Sequence, residues 1–568
     1  MASTTLTETL LTIPDNVSIS QFMLDCQHPL RPQRGDTPCF TDNDSGQIVS
    51  FDEVKLRTQL LAAALNTRYN LSDNDVVLIC SPNHVDYAVA TWSVHQIGGI
   101  VTPANPGMTP EELCYQLQIT KASFIIVHSA AVITAQTAAR KCNLPPTRII
   151  LLDDCEHYDL YSVPELISEA LANQYSFSPK VLKPGEGSTK LALLMLSSGT
   201  TGKPKAVKIP HRAIIANLVQ LAIHHQVYTY HKGLSRGFRC GDSLLGVLPF
   251  FHVAGLLLSM HLPVFCGMSI IVVRRFDFVN MLRSIARYRI TDLVIVPPQA
   301  VALCKHSAVK SYDMSSVKCV IVGAAPMTKE INALLFNVFP SAQIGQAYGT
   351  TETPAVLATV PFEQQRGPVG SAGRLLPGVE ARVVKFDGTF ARHGEPGELE
   401  VRCPNMALGY LDNEEATLGT FRDGWIRTGD EVILTKEREV YIVDRIKEFI
   451  KVNGYQVAPA ELEGCLLDHP DVVESCVIGV PHDYSGEVPL AFVALSSDAN
   501  KRIRQNPSAS RAIKQSILQH VTRNKVRYKH LTDVRFVPSI PQTASGKILR
   551  RQFREQSKTV CHAPMAKL

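Results

Sequence analysis

The sequence lacks the closely spaced cysteines that zinc hooks and redox dithiols require. Its 14 cysteines are scattered, and the closest pair, Cys465 and Cys476, is too widely spaced for a CxxC motif. The first residues contain no basic segment followed by a long apolar stretch, so we expect no secretory signal and reduced thiols. These absences argue against a zinc ribbon, a dithiol oxidoreductase and a disulfide mini-protein.

Charged residues are missing from one long apolar segment. Ser243–Val273 contains no Asp, Glu, Lys or Arg, and its length would suit a membrane span. Pro249 and Pro263 interrupt the segment, and a glycine and two histidines lie between them. The pattern therefore predicts a buried strand, loop, helix and strand, and no transmembrane segment.

Acidic residues are scarce near the C-terminal end of the chain. Residues 501–567 carry 16 lysines and arginines but two acidic residues, whereas residues 1–500 carry 41 basic and 50 acidic residues. The formal charge of the whole chain, +5, is too small to indicate nucleic-acid binding by itself. The asymmetry predicts a basic C-terminal unit that faces an anionic partner, either a polyphosphate or a nucleic acid.

Short β-branched runs alternate with helical patterns through most of the chain. Several runs are continuously apolar, as strands are in a parallel sheet that helices cover on both faces. These runs are Asp75–Cys80, Ser123–Val127, Arg148–Leu152, Ser269–Val273, Leu293–Val296 and Lys318–Val322. We therefore expect an α/β fold with a large N-terminal domain, residues 1–444. The polar segment Ser176–Lys190 predicts a surface linker between subdomains.

Residues 445–568 contain smaller elements. A helix should begin near Pro459, where proline suits the first helical position. Apolar runs at Val472–Val480 and Leu490–Leu495 predict strands, and Ser508–Lys525 predicts a basic amphipathic helix. The pattern indicates a compact α+β C-terminal domain that holds the basic excess.

The most informative segment is Leu191–Lys205, where a hydrophobic strand leads into a loop of glycines, hydroxyl residues and lysines. Such a loop can wrap a polyphosphate. The spacing GTTGK differs from the GxxxxGK[ST] of a Walker A motif, which argues against a P-loop ATPase. The candidate phosphate-binding residues of this loop are Ser197, Ser198, Gly199, Thr200, Thr201, Gly202, Lys203 and Lys205.

Five further motifs follow the loop in order. They are QAYGTTE at 346–352, GWIRTGD at 424–430, DRIK at 444–447, KVNGYQ at 451–456 and PQTASGKILR at 541–550. On these motifs the chain resembles the adenylate-forming superfamily, and within it 4-coumarate-CoA-ligase-type enzymes, from about Ser50 to Gln552. The resemblance implies the fold of that superfamily and an ATP-dependent carboxylic acid:CoA ligase, which forms an acyl-adenylate and then a thioester. No GxSxG elbow is present, and a carboxylate needs no general base to attack phosphorus.

The resemblance also assigns roles around the nucleotide. The hydroxyl of Thr351 would donate to the α-phosphate, and Glu352 would be a ligand of Mg²⁺, a cation that prefers oxygen. Asp430 and Arg445 would bind the ribose, and the ring of Tyr348 would face the adenine. The candidate nucleotide residues outside the loop are Gly323, Ala324, Ala325, Tyr348, Gly349, Thr351, Asp430 and Arg445.

A mobile C-terminal domain is implied for the second half-reaction. Lys547 would bridge the substrate carboxylate and the phosphate during adenylation, and Lys447 would be the hinge about which the domain rotates. Gly454 would let the backbone pass close to the pantetheine of coenzyme A, and Lys451 and Gln456 would support the reaction centre in the rotated pose. The phosphates of coenzyme A give the basic excess a partner, so no nucleic acid is expected.

The acyl pocket lies, by resemblance, behind His252, which we expect to close it. Its lining would be Val253, Gly323, Gly349, Ala355 and Val356, and these small residues imply open volume for an aryl or medium-length apolar acid. After Glu352 this chain has Thr353-Pro354-Ala355-Val356 in place of the Gly-Pro-Val run of the plant enzymes, so the resemblance does not fix the acid.

Two alternative activities share the adenylation motifs: a luciferase-like oxygenase and an amino-acid-activating enzyme. The presence of Lys547, Glu352, Asp430 and Arg445 argues against a non-enzymatic binder. The final residues, Ala566-Lys567-Leu568, resemble the Ser-Lys-Leu address that a peroxisomal import receptor reads at a free C-terminus. We therefore expect a peroxisomal protein, or a cytoplasmic one if the tripeptide is not used.

Overall fold

Two large parallel-rich sheets, two smaller sheets and their covering helices make up the chain in the computed structural model. The structure describes residues 11–197, 204–228, 237–324, 327, 329–446, 448–452, 455–482, 485–543 and 548–560. The architecture is mixed α/β, as the sequence predicts.

The first fifteen strands of the described residues form the two large sheets. In chain order they are β1 (Phe40–Asp42), β2 (Ile48–Val49), β3 (Val76–Cys80), β4 (Ile100–Ala104), β5 (Phe124–Val127), β6 (Ile149–Leu151), β7 (Leu191–Ser197), β8 (Lys205–Pro210), β9 (Ser243–Gly246), β10 (Ser269–Val272), β11 (Asp292–Ile295), β12 (Cys319–Val322), β13 (Gln343–Tyr348), β14 (Ala358–Thr359) and β15 (Arg374–Leu375). The first sheet has the order β6-β5-β3-β4-β7-β8, and the second has the order β15-β14-β13-β12-β11-β9-β10-β1-β2.

Both sheets are parallel except at their edges. In the first sheet only the β7–β8 pair is antiparallel, and in the second the antiparallel pairs involve β2, β14 and β15. Every residue of β3, β5 and β12 is buried, which is why their sequences are continuously apolar or β-branched rather than alternating. The six apolar runs of the sequence coincide with β3, β5, β6, β10, β11 and β12, so these strand predictions are confirmed.

Helices cover and separate the two sheets. In this part of the chain they are α1 (Ile19–Leu24), α2 (Phe51–Tyr69), α3 (Tyr87–Ile97), α4 (Pro110–Thr120), α5 (Val132–Lys141), α6 (Val163–Ala172), α7 (His211–His224), α8 (Leu262–Phe265), α9 (Phe278–Tyr288), α10 (Pro297–Lys305) and α11 (Lys329–Val338). All residues of α3 are buried, and α3 belongs to an apolar cluster that contains side chains of both sheets. The main core therefore joins the two sheets into one body.

The remaining elements form two smaller sheets. They are β16 (Glu380–Val384), β17 (Pro396–Arg402), α12 (Glu414–Thr420), β18 (Phe421–Arg422), β19 (Trp425–Leu434), β20 (Val440–Arg445), β21 (Ile450–Val452), β22 (Tyr455–Val457), α13 (Pro459–Leu467), β23 (Val472–His482), β24 (Gly486–Leu495), α14 (Ser497–Gln505), α15 (Ala509–Asn524), β25 (Asp533–Val537) and α16 (Arg550–Val560). The third sheet, β16-β17-β19-β18 with β20 paired to β19, is antiparallel. The fourth sheet, β22-β21-β24-β23 with β25 parallel to β24, belongs to the small C-terminal unit.

The third and fourth sheets meet around Asp444. Its Oδ2 atom accepts a hydrogen bond of 3.0 Å from the backbone N–H of Ala460, at the start of α13. Lys305, at the end of α10, donates from Nζ to the backbone oxygen of Leu467 at 3.2 Å. The predicted domain boundary after residue 444 falls one residue before the end of β20, and it stays a prediction.

The long uncharged segment is buried, as predicted. It contains β9, a π-helix at Gly255–His261, α8 and β10, and the residues of the π-helix and of α8 are all buried. Among the residues that the structure describes, no helix combines the length and the apolar composition that a membrane span requires.

The prediction of a linker between subdomains at Ser176–Lys190 is wrong. This segment connects α6 to β7, and β7 lies in the same sheet as β6. Lys190 is buried and its Nζ contacts the carboxylate of Asp73, while the backbone N–H of Lys180 donates to the Gln96 oxygen at 2.7 Å. Most of the segment is exposed, so the predicted surface position holds, but the elements that it connects belong to one subdomain, which composition alone does not reveal.

Candidate active site

A cavity of about 410 Å³ lies beyond the carboxyl ends of four parallel strands of the second sheet. Leu248 follows β9, Val296 follows β11, Gly323 follows β12 and Gly349 follows β13, and all four line the cavity. Ligands of open α/β sheets bind at this edge, where the loops that follow the strands form a crevice. The fold therefore brings the residues around Gly323 and the YGTTE motif to one site.

The first and third sheets supply the other walls. Ser197 ends β7 and Lys205 begins β8, so both ends of the predicted phosphate loop line the cavity. Thr428 of β19 and Arg445 of β20 line it from the third sheet. The loop residues between the two strand ends, Ser198, Gly199, Thr200, Thr201, Gly202 and Lys203, lie outside the described residues.

Tyr348, Asp430 and Arg445 form one hydrogen-bonded network. The Tyr348 hydroxyl donates to Asp430 Oδ2 at 2.8 Å, and Arg445 Nε lies 3.2 Å from Asp430 Oδ1. Asp430 and Arg445 are cross-strand partners in the β19–β20 ladder, which fixes this pairing. The predicted adenine and ribose residues are therefore brought together, and Tyr348 and Asp430 are buried.

Burial and charge set the protonation states of this network. Burial, with the Asp430 carboxylate adding to it, raises the pKa of Tyr348 well above its ordinary value, so the phenol keeps its proton and donates. Burial lowers the pKa of Arg445, but Asp430 and the other acidic groups around it together outweigh burial and raise that pKa above its usual value. The network therefore holds a fixed cation and a hydrogen-bonded carboxylate at the cavity wall.

Tyr410 is a cavity residue that sequence reasoning missed. Its hydroxyl donates to Glu352 Oε1 at 2.8 Å, and Lys205 Nζ lies 5.0 Å from the centroid of its ring, within cation–π range. Tyr410 therefore links the predicted metal ligand to the end of the phosphate loop. The sequence offers one signal for Tyr410, the glycine directly before it. Gly409 has a φ of +113°, as a turn requires, but many surface turns have a glycine before an aromatic residue.

Glu352 fits a divalent cation. Its Oε1 atom accepts from Tyr410, and among the described residues Oε2 has no hydrogen bond, so this oxygen is available to a ligand in the cavity. The described residues contain no group of three or more histidine, cysteine or acidic side chains that could hold a metal ion by themselves. A Mg²⁺ ion at Glu352 would therefore take most of its oxygen ligands from phosphate and water, as Mg²⁺ commonly does. Thr351, the neighbouring residue, also lines the cavity.

Two alanines at the cavity have left-handed backbone conformations. Ala324 and Ala355 each have φ +73°, a region that costs a residue with a Cβ atom about 1 kcal/mol or more. Strained backbone of this kind concentrates at functional sites, because the surrounding structure must hold it there. Ala325, the next residue of the predicted base-binding segment, lies outside the described residues.

The two glycines of the predicted acyl pocket differ in how much space surrounds them. A Cβ atom at Gly323 would meet its nearest neighbour, the Ala347 oxygen, at 3.5 Å, an ordinary contact. A Cβ atom at Gly349 would lie 1.7 Å from the backbone oxygen of Ala355, which no side chain can do. The expectation that Gly349 provides open volume is therefore wrong, since this glycine lets two backbone segments pack.

The rest of the predicted acyl pocket lies at the cavity as expected. His252 is half-buried on the loop after β9, and its Nδ1 accepts from the backbone N–H of Ala254 at 3.3 Å. Apolar lining comes from the loop after β9, the π-helix and the carboxyl ends of β11 and β12. The apolar lining residues are Leu248, Val253, Leu258, Val294, Val296, Ile321, Ala355 and Val356.

Of the predicted residues of the small unit, the structure places Lys451 away from the cavity. Lys451 is exposed on β21, and its cross-strand partner in the β21–β22 ladder is Gln456. Among the described residues beyond Ile446, none lines the cavity. Lys547, Lys447 and Gly454 lie outside the described residues, and so do the final residues that resemble a peroxisomal address.

Comparisons with known proteins agree with this geometry. Residues 30–411 match the family described as AMP-binding enzyme, and residues 461–547 match the AMP-binding enzyme C-terminal domain. The chain is 35% identical over 533 residues to 4-coumarate–CoA ligase 2 of Oryza sativa subsp. japonica, covering 91% of this chain and 89% of the relative. It is 32% identical to 4-coumarate-CoA ligase 1 of Narcissus pseudonarcissus over 97% and 95% of the two chains.

Solved structures share the fold. ATP-bound MatB from Rhodopseudomonas palustris superposes with a TM-score of 0.80 at 24% identity, covering 96% of this chain and 99% of the other. A benzoate CoA ligase from Burkholderia xenovorans LB400 superposes with a TM-score of 0.77 at 22% identity, covering 95% and 100%.

Proposed function

The chain belongs to the AMP-binding enzyme family, and from this premise we propose that it is an ATP-dependent carboxylic acid:CoA ligase. The observation that carries the proposal is the single cavity in which hydroxyl and charged groups face an apolar wall. Lys205, Glu352 and Arg445 suit a nucleotide, and the apolar residues after β9, β11 and β12 suit an acyl group. One site can therefore hold both reactants of an adenylation.

The first half-reaction needs positioning more than proton transfer. The substrate carboxylate attacks the α-phosphorus of ATP, the bond from the α-phosphorus to the bridging oxygen breaks, and pyrophosphate leaves with that oxygen. A carboxylate is already ionised at neutral pH, so the barrier falls mainly through alignment and charge neutralisation. In the proposal, Ser197 and Lys205 hold the outer phosphates, Thr351 donates to the α-phosphate, and Asp430 with Arg445 fixes the ribose.

Mg²⁺ is the proposed cofactor of this step. Glu352 would hold it through the Oε2 atom, while Tyr410 fixes the orientation of the carboxylate through Oε1. When bound, the ion would neutralise charge on the phosphates of ATP.

The second half-reaction transfers the acyl group to the thiol of coenzyme A. The thiol sulfur attacks the acyl carbon, the bond to the phosphate oxygen breaks, AMP leaves and the thiol proton is released. In the proposal, Lys547 serves only adenylation, whereas Lys451 and Gln456 approach the site after rotation about Lys447, and Gly454 lines the thiol channel. The exposure of Lys451 supports a role that depends on such a movement.

The proposed acid is apolar, either an aryl acid or one with a medium-length chain. The apolar lining of the cavity supports this class. The relatives named 4-coumarate–CoA ligase and the fold neighbour named benzoate CoA ligase support an aryl acid in particular.

Purified protein should be assayed with ATP, Mg²⁺, coenzyme A and acids that vary in ring substitution and chain length. We expect AMP and a CoA thioester with at least one cinnamate-like, benzoate-like or medium-chain acid. Glu352→Gln is the control, because it keeps the shape of the side chain and removes the charge. Failure of every acid to yield AMP would contradict the proposal, and oxygen consumption with adenylate formation would indicate the oxygenase alternative.

Peroxisomal import through Ala566-Lys567-Leu568 is a separate proposal that rests on the sequence alone. A fluorescent protein fused before residue 1 should accumulate in peroxisomes with the intact tail. The same fusion without the three residues should stay in the cytoplasm, and identical distributions would contradict the proposal.

A further inference from the structure

Cys114 and Cys142 lie side by side on the helices that cover the first sheet. Cys114 lies in α4, and Cys142 directly follows α5. Their Sγ atoms are 2.9 Å apart, and Cys142 Sγ also lies 3.5 Å from the backbone oxygen of Cys114. A disulfide bond is about 2.05 Å long, so closure requires the two sulfurs to approach by about 1 Å. Both side chains are half-buried, so small oxidants from solvent can reach them.

The packing of α4 on α5 holds this pair in register. Leu113 and Leu117 of α4 share an apolar cluster with Ala135 and Ala138 of α5. At the exposed side of the same contact, Lys141 forms an ion pair with Glu111. The proximity of the sulfurs is therefore set by two packed helices and not by a flexible loop.

The same helix contacts the predicted phosphate loop. Tyr115, the residue after Cys114, donates its hydroxyl to the backbone oxygen of Pro204 at 2.9 Å. Pro204 directly precedes Lys205, which begins β8 and lines the cavity. Tyr115 and Cys114 belong to the same helix, so a displacement of α4 toward α5 would move Tyr115 relative to Pro204.

We propose that Cys114 and Cys142 form a reversible disulfide on reaction with hydrogen peroxide, and that closure of this bond weakens ATP binding through α4, Tyr115 and Pro204. The coupling to ATP rests on the proposed function, in which the Ser197–Lys205 loop holds the nucleotide. The disulfide itself does not depend on that function.

The chemistry balances with one peroxide per disulfide. The Cys114 sulfur attacks one peroxide oxygen, the O–O bond breaks, and a sulfenic acid and one water form. The Cys142 sulfur then attacks the Cys114 sulfur, the S–O bond breaks, and a second water leaves with the thiol proton. Two thiols are oxidised by two electrons, and the peroxide is reduced to water. Burial, together with the adjacent Cys114 thiol, raises the pKa of Cys142 to about 12, which argues against Cys142 as the group that attacks the peroxide first.

Peptide mapping tests the covalent part. The full-length protein is treated with hydrogen peroxide, its remaining thiols are alkylated, and the digest is searched for a linked pair of peptides. We expect a Cys114–Cys142 link that dithiothreitol removes, and its loss in Cys114→Ser. The matched control is Cys240→Ser, which removes an exposed thiol and should leave the link intact. Recovery of Cys114 as a sulfinic or sulfonic acid, with no linked peptide, would overturn the proposal.

Calorimetric titration with ATP tests the coupling on reduced and oxidised protein. Loss of the Tyr115 hydrogen bond should raise the dissociation constant for ATP by roughly 2- to 10-fold on oxidation. In Tyr115→Phe the link should still form, but oxidation should no longer change ATP affinity. Equal affinity of reduced and oxidised wild-type protein would overturn the coupling. A reduced protein that binds no ATP would instead contradict the proposed function, and the mapped link would be judged independently of it.

Discussion

The cavity wall of the large body and the β21–β22 hairpin of the small unit present their polar groups in opposite ways. In the body, Asp430 is buried and hydrogen-bonded to Tyr348 and paired with Arg445 before any ligand is present. In the small unit, the side chain of Lys451 is exposed, and its backbone N–H donates to Glu487. One region is preorganised, whereas the other carries its predicted functional lysine in water.

This difference suits two different tasks. A nucleotide site benefits from fixed groups, because groups that are already oriented need no reorganisation when charge develops. A lysine that serves one half-reaction must leave before the other, and a flexible, solvated side chain can do so. The comparison therefore predicts that variants in the body weaken ATP binding, whereas variants in the small unit separate the two half-reactions.

The largest effect is expected from Lys547→Ala. Removing a cation that neutralises charge in the transition state should slow adenylate formation by on the order of 10²- to 10³-fold. Thioester formation from supplied acyl-adenylate should stay close to normal. Pyrophosphate exchange measures the first step and thioester release from synthetic acyl-adenylate the second. A near-normal rate of pyrophosphate exchange in the variant would contradict the prediction that the small unit supplies a lysine to adenylation.

Asp430→Ala should be the most damaging change in the body. It leaves the buried Tyr348 hydroxyl without its acceptor and removes the partner of Arg445. A hydrogen bond to a charged group contributes about 1.5–3 kcal/mol, so the dissociation constant for ATP should rise by roughly 10- to 100-fold. The matched control is Asp423→Ala on the exposed turn before β19. Unchanged ATP affinity in Asp430→Ala would contradict the assigned role of the network.

Acid should destabilise the body through its buried histidines. Burial lowers the pKa of His95 to about 3 and that of the adjacent His211 well below 6.5. In the unfolded chain both would titrate near 6.5, so below that pH the unfolded chain binds more protons and stability falls as pH falls. Each such histidine lowers the free energy of unfolding by up to about 1.4 kcal/mol for every pH unit below 6.5.

Thermal unfolding between pH 7 and pH 4 measures this dependence. His95→Gln should flatten the dependence on pH, and His157→Gln on an exposed turn should not change it. Identical slopes for wild type and His95→Gln would show that the buried histidines do not control acid stability.

The smallest effect is expected from Tyr410→Phe. The variant keeps the ring beneath Lys205 and removes the hydroxyl that orients Glu352. Glu352 is half-buried, so water can replace the lost hydroxyl, and the Mg²⁺ concentration for half-maximal activity should rise by only a few-fold. The control Tyr441→Phe alters a tyrosine of β20 that does not line the cavity. A shift of equal size in both variants would contradict the positioning role of Tyr410.

Much of the fold followed from local patterns. The buried strands β3, β5 and β12 are predictable because parallel strands covered on both faces leave continuous apolar runs. The start of α13 at Pro459 follows from the fixed φ of proline. The linker prediction for Ser176–Lys190 was wrong because a polar composition does not distinguish a linker between subdomains from a connection within one sheet.

The site was predictable only where its residues sit in contiguous motifs. Tyr348 and Glu352 share one motif, but Tyr410 reaches Glu352 across 58 residues of sequence, so the contact depends on tertiary structure. The role of Gly349 was misjudged for the same reason, since the Ala355 backbone that excludes a side chain is visible only after folding. The contact between Cys114 and Cys142 spans 28 residues and two helices, and the spacing of the cysteines gave no sign of it.

The contrast between the two glycines sets limits on how the substrate range of this enzyme can be re-engineered. Gly323 has room for a methyl group, so Gly323→Ala is a practical way to shorten or narrow the acids accepted. Gly349 tolerates no side chain, so libraries that randomise it would consist mostly of misfolded protein. Directed evolution toward bulkier acids should instead trim Leu258, Val294 or Ile321, where shortening a side chain enlarges the cavity and leaves the backbone in place.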